Sequence, residues 1–154
     1  MEITSFGHAA IGVRGARASL IIDPGAFSSL PSIESFDAVL VTHDHFDHVD
    51  LPALAAARRK HPELRVLSPV PLAGLEVELV TDGEETLVGD LQVRVVGALQ
   101  ERASLFDPEI PNVGYLIGGR LLHPGDAYQR LDGVDTLLLP MHGPWVRRSD
   151  QERH

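Results

Sequence analysis

Four residues of metal-binding type, His43, His45, Asp47 and His48, stand within six positions of one another. They follow directly on Phe36-Asp37-Ala38-Val39-Leu40-Val41-Thr42, a short apolar run of the kind that forms a strand buried on both faces. The carboxyl ends of strands are where α/β folds build their sites. Imidazole nitrogen and carboxylate oxygen are both zinc ligands. On an extended backbone residues i and i+2 point the same way, so His43 and His45 can grip one cation. Asp47 and His48, as the chain turns toward a helix, can face a neighbouring position. The spacing thus supports two adjacent metals with a water between them. A coincidental surface cluster is the bland alternative, and the position at a strand end argues against it.

The rest of the chain supplies more strands than helices. Residues 2–6, 9–14 and 18–23 read as strands, the last carrying the apolar run Leu20-Ile21-Ile22 and ending at the turn Asp23-Pro24-Gly25. Residues 26–35 read as a polar loop. Residues 51–60 read as a helix, with Asp50 as N-cap, Pro52 in the first turn, and Arg58, Arg59 and Lys60 complementing the dipole at its end. His61 stands at the end of that helix and Pro62 stops it. Strands follow at 65–68, 76–80, 91–96, 113–117, 120–123 and 136–139, with turns over 81–84 and 83–86 and an irregular stretch over 100–111. Alternation at 91–96 leaves one face of that sheet to solvent. No repeat, linker or composition shift divides the chain, so one domain is expected over 1–154. Many strands and few helices suggest packed sheets with a helix outside.

Composition narrows the function classes. The 154 residues carry a net charge of −9, which argues against nucleic acid as a partner. There is no cysteine, so every metal ligand must be histidine, carboxylate or water. The N-terminal residues lack a basic flank and an apolar core, and no apolar run is long enough for a membrane span. A cytoplasmic protein acting on a small molecule, without membrane contact, is the expectation.

Thr42-His43-Asp44-His45-Phe46-Asp47-His48 resembles the T-H-x-H-x-D-H signature of the metallo-β-lactamase superfamily. Leu20-Ile21-Ile22-Asp23-Pro24-Gly25, Asn112-Val113-Gly114-Tyr115-Leu116-Ile117 and His123-Pro124-Gly125-Asp126 resemble its strand ends in the same order. Phe6-Gly7-His8-Ala9 and Leu139-Pro140-Met141-His142-Gly143-Pro144-Trp145 are similar to the branch that includes ascorbate-6-phosphate lactonase-like proteins. The resemblance implies an α/β fold, the αββα sandwich, with the site at one edge of two sheets. It implies that His43 and His45 hold one metal, that Asp47 and His48 hold a second, and that Asp126 bridges both. It places Asp23 beneath the site as a hydrogen-bonding partner of the ligands. His8 and His142 fall near the site as substrate-binding or supporting residues, and His123 as a packing residue. The implied cofactor is one or two Zn2+, with Mn2+ or Fe2+ also suited to these ligands. The implied activity is a metal-dependent hydrolase in which hydroxide generated at the cation, oriented by Asp47, attacks an ester, lactone or phosphoester.

The chain departs from that pattern twice. The family's third histidine for the first metal falls at about Ala103, and there is no histidine between residues 62 and 122. Family members also continue to a final histidine beyond the Pro144-Trp145 segment, which implies a sandwich incomplete at its C-terminal end. Glu101, Asp107, His142 and His154 are the candidates to substitute. Two other readings follow: a non-catalytic binding or regulatory relative, and a shortened product needing a partner. For the latter a homo-oligomer would cover the sheet edge near residues 137–139.

Overall fold

The computed structural model describes residues 1–141 apart from 98, 101, 103–105, 107 and 130. Two mixed sheets stack face to face. The first has six strands in chain order, β1 (Glu2–Ser5), β2 (Ile11–Arg14), β3 (Ser19–Ile22), β4 (Ala38–Leu40), β5 (Arg65–Ser68) and β6 (Glu78–Leu79). Its first three strands are antiparallel and β3 to β6 run parallel. The second has five, β7 (Glu85–Val88), β8 (Leu91–Val96), β9 (Gly114–Ile117), β10 (Leu121–His123) and β11 (Thr136–Leu137), antiparallel except that β11 joins β10 in parallel.

Side-chain alternation builds the layers. In β3, Leu20 and Ile22 enter the core between the sheets with Ile11, Val13, Leu40, Val93, Val95, Tyr115 and Ile117, while Ile21 points to the opposite side. There it packs with Val39, Val41 and Val66 against Leu54 and Ala57 of α1 (Leu51–Lys60). That helix starts where Asp50 Oδ1 accepts from Ala53 N at 3.0 Å and ends in Arg58, Arg59 and Lys60. His61 closes it, its ring nitrogen 3.1 Å from the Glu34 carbonyl. The described residues thus form an α/β sandwich of three layers, helix, sheet and sheet. None of their helices is long and apolar enough to cross a membrane.

Several boundaries differ from the sequence reading. The buried strand over 36–42 pairs only from Ala38 to Leu40, because Thr42 N leaves the ladder to donate to Asp23 Oδ1. The turn expected over 83–86 is confined to 81–84, and Glu85–Val88 is a strand whose Val88 is buried against β8. The loop over 26–35 contains a short 3-10 turn, Ile33–Ser35, which buries Ile33. In β6 Leu79 faces solvent, so the alternation expected over 76–80 buries Val80 instead.

Candidate functional site

The C-terminal ends of β3 and β4, the loop between β1 and β2, and the loops before β9 and after β10 meet at one edge of the sandwich. Two hydrogen bonds pin the sheets together there, one from the backbone and one from a side chain: Val113 N donates to Thr42 O at 2.9 Å, and the buried Tyr115 hydroxyl donates to Val41 O at 2.9 Å.

Asp23 lies at the bottom of this edge, fully buried, in a left-handed conformation with φ 49°. Such a φ is uncommon for a non-glycine residue, though aspartate tolerates it better than most. Its Oδ1 accepts from Thr42 N at 2.8 Å. Its Oδ2 accepts from the Thr42 hydroxyl at 2.7 Å and lies 2.8 Å from His48 Nδ1. The Thr42 hydroxyl has one proton, given to Asp23, so the 3.0 Å contact between its oxygen and His43 Nδ1 places a proton on His43 Nδ1. His48 Nδ1 likewise donates to Asp23. Both imidazoles therefore present Nε2 outward, oriented by partners behind them as metal-binding histidines are.

The two Nε2 atoms face the carboxylate of Asp126. Asp126 Oδ2 lies 3.9 Å from His43 Nε2, and Asp126 Oδ1 lies 3.5 Å from His48 Nε2. His43 is fully buried, and among the described residues its Nε2 has no hydrogen-bond partner. An unpartnered imidazole nitrogen in the interior is costly unless something else satisfies it, and a cation is a group that would do so here. Asp47 is half-exposed at the rim, its Oδ2 3.9 Å from His48 Nε2 and 3.1 Å from His8 Nε2. Among the described residues two groups have donor atoms all within 4.8 Å of one another: His43, His48 and Asp126, and His8, Asp47 and His48.

His45 belongs to neither group. It is half-buried with its ring edge-on to that of His43, centroids 4.6 Å apart. His123 is turned away from the cluster, its Nε2 2.9 Å from the carbonyl of Ala9 and its Nδ1 accepting from Gly125 N at 3.2 Å. Glu101, Ala103, Asp107, His142 and His154 lie outside the described residues.

Electrostatics follow from the burial. Desolvation pulls His43 down to about 3, with the nearby His48 charge adding to the effect. Desolvation also acts against charge on His48, but the carboxylates of Asp23, Asp126 and Asp47 outweigh it and lift that imidazole to about 9. Burial pushes Asp23 up, yet the pairing with His48 holds it below the usual carboxylate range. Burial raises Asp126, against the pull of His48, and the charges of Asp23 and Asp47 add to the rise. The carboxylates of Asp23, Asp126 and Asp47 outnumber the imidazole they lift, His48, and a divalent cation would offset the remaining negative charge.

Residues that the sequence reading gave no role also hold the site. Asn112, fully buried, accepts from Asp126 N at 3.0 Å and donates to Pro124 O at 3.0 Å, fixing the loop that presents Asp126. Gln100 Nε2 donates to Asp126 Oδ2 at 3.2 Å. The Thr42 hydroxyl links His43 Nδ1 to Asp23 by hydrogen bonds. A Cβ at Gly25 would run into the Asp47 backbone carbonyl, and one at Gly125 (φ 62°) into Asn112 and Thr42, so both loops close only with glycine there. The available signal was adjacency: Thr42 opens the His/Asp motif, and Asn112 is a polar residue set before an apolar strand.

Comparison with known proteins comes to the same place. The family model described as a beta-lactamase superfamily domain matches residues 2–152. The Mycobacterium tuberculosis protein Rv0786c is 33% identical over 163 residues, covering 97% of this chain and 76% of that protein. A metal-dependent hydrolase of Myxococcus xanthus is 28% identical over 145 residues, covering 82% of this chain and 52% of its own length. Among solved structures, CmlA, a diiron beta-hydroxylase from Streptomyces venezuelae, superposes with a TM-score of 0.68 at 25% identity, over 98% of this chain and 39% of that one.

Proposed function

The chain belongs to the beta-lactamase superfamily, and from that premise we propose that it is a metal-dependent hydrolase whose cations sit between the two sheets. One observation carries this reading. The two oxygens of Asp126 face two different imidazole nitrogens, and one of those, His43 Nε2, is buried with no hydrogen-bond partner among the described residues. In this reading His43 and His45 serve the position nearer Asp126 Oδ2, and His48 and Asp47 the position nearer Oδ1, with Asp126 between them. Zn2+ suits this nitrogen and oxygen set, as do Mn2+ and Fe2+; the similar structure CmlA is itself a diiron enzyme, which supports keeping iron among the candidates.

A bound divalent cation supplies an activated water at neutral pH and polarises the oxygen of the bond to be broken. The chain's own residues do the rest. Asp23 and Thr42 keep the protons on His48 Nδ1 and His43 Nδ1, so both Nε2 atoms stay available. Asp47, at the solvent rim, orients the attacking water. Phe27 and Phe46, each 64% exposed, stack edge-to-face with centroids 5.1 Å apart, and Phe27 lies 5.7 Å from His8. This apolar wall at the mouth favours an ester or lactone with a hydrophobic group beside the scissile bond, ahead of a phosphoester.

The test is metal analysis of the purified chain followed by turnover on ester, lactone and phosphodiester panels with and without chelator. Cation-dependent hydrolysis that falls at least about 100-fold in His43→Ala and Asp126→Ala is expected, the loss that goes with removing a group acting in the transition state. Bound metal with no turnover on any panel would favour the non-catalytic relative. Absence of any bound cation would overturn the proposal.

A further inference from the structure

We propose that His8 is a direct ligand, through Nε2, of the cation held by Asp47 and His48. It comes from the turn between β1 and β2, outside the His43–His48 cluster. The assignment rests on the metal-centre reading above and adds to it a residue 39 positions away from Asp47 in sequence.

The first argument is spacing. His8 Nε2 lies 3.1 Å from Asp47 Oδ2, and the donor atoms of His8, Asp47 and His48 all fall within 4.8 Å of one another. Two ligands each about 2.0–2.2 Å from one zinc ion stand roughly 3–3.5 Å apart. The His8–Asp47 distance is thus already that of neighbours in one coordination sphere, and the 3.9 Å from Asp47 Oδ2 to His48 Nε2 needs only a few tenths of an ångström to join it.

The second is presentation. His8 has φ 47° and follows Gly7 at φ 90°. A non-glycine residue there is strained and persists only where its surroundings fix it. They do so here. Ala10 N and the Ser28 hydroxyl both donate to Gly7 O at 3.0 Å, and Ser29 N donates to Phe6 O at 2.7 Å. The imidazole is set edge-on to both Phe27 and His48, with centroids 5.7 and 5.6 Å away. The hydrogen bond from His123 Nε2 to Ala9 O ties this turn to the loop that carries Asp126. His48 has its Nδ1 committed to Asp23, so it brings Nε2 alone to this position, and His8 supplies the second imidazole.

Zinc titration against a chromophoric chelator, with Co2+ visible spectra in parallel, tests this on wild-type, His8→Ala and His8→Gln proteins. Glutamine keeps a hydrogen bond to Asp47 but is a poor zinc ligand. Both variants should lose affinity at one cation position by about 100-fold, the upper end of what losing even an indirect partner costs. The Co2+ bands should change, while the metal-free melting temperature stays close to wild type because His8 is on the surface. Wild-type affinity and an unchanged cobalt spectrum in His8→Gln would make His8 a hydrogen-bond partner of Asp47 only and overturn the assignment, leaving the metal centre intact. A wild-type chain that takes up neither Zn2+ nor Co2+ overturns the metal-centre reading, and this assignment with it.

Discussion

Thr42 is the smallest residue of the site with the most obligations. Its hydroxyl donates to Asp23 and accepts from His43 Nδ1, and its amide donates to the same carboxylate. Thr42→Val keeps the shape but removes one of the two bonds to Asp23 Oδ2 and strands a buried imidazole N–H. It should destabilise the metal-free protein by about 1–3 kcal/mol in urea denaturation. It should also weaken zinc binding about 10–100-fold, whereas Thr42→Ser keeps both bonds and stays near wild type. The imidazoles beside it set a pH dependence with opposite signs. The fold lifts His48 from its ordinary 6.5 to about 9, so it prefers His48 protonated. That stabilisation is complete below pH 6.5 and is lost as pH rises through 9. The fold lowers His43 from 6.5 to about 3, so it prefers His43 neutral, and stability falls as pH drops from 6.5 toward 3. Urea midpoints of the chelator-treated protein should therefore decline on both sides of about pH 6.5, and His48→Gln should flatten the alkaline side. An alkaline slope unchanged in His48→Gln would show that another group sets it.

At the scale of elements, strands β3 and β4 end by handing their last polar groups to one another: the Asp23 side chain takes the amide that Thr42 no longer gives to the sheet. The turn after Asp23 then passes so close to the Asp47 backbone that only glycine fits at position 25. Gly25→Ala should push the 46–48 segment outward. The expected cost is about 1–3 kcal/mol or more, as for other overpacked sites, together with reduced zinc affinity; Ala26 N, which donates to Phe46 O, should lose protection from hydrogen exchange. These local events explain what could be read beforehand. The apolar runs at Leu20-Ile21-Ile22 and 38–41, the cap at Asp50 and the alternation of β8 each depend on near neighbours in sequence, and the structure has them. The strand at Glu85–Val88 was hidden because it holds only two β-branched residues between charged turns, and its pairing with β8 is what makes it extended. The contacts of His8 with Asp47, of Asn112 with Asp126 and of Gln100 with Asp126 join distant segments, and no local period encodes them.

For the molecule as a whole, the site is a seam between its two sheets. His43, Asp47 and His48 hang from the end of β4, Asp126 follows β10, and the protein's own links across this edge include the Val113–Thr42 and Tyr115–Val41 hydrogen bonds. A cation held by both sets of ligands would be a further cross-link, present only in the folded state because the two sets lie 78 or more positions apart in sequence. Binding to the folded chain alone stabilises it by about 2.7 kcal/mol at 100 times the dissociation constant and about 4.1 kcal/mol at 1,000 times. Urea denaturation with and without Zn2+ at such concentrations should show shifts of this size in the wild type. At the same free Zn2+, Asp126→Ala should lose most of the shift, because the remaining ligands all belong to one sheet and weaker binding stabilises less. It should also raise metal-free stability slightly, since burial and the neighbouring Asp23 and Asp47 charges already disfavour the Asp126 carboxylate. Equal stabilisation by Zn2+ in wild type and Asp126→Ala would mean that the cation is held by loops of the first sheet alone and that the two sheets are joined without it.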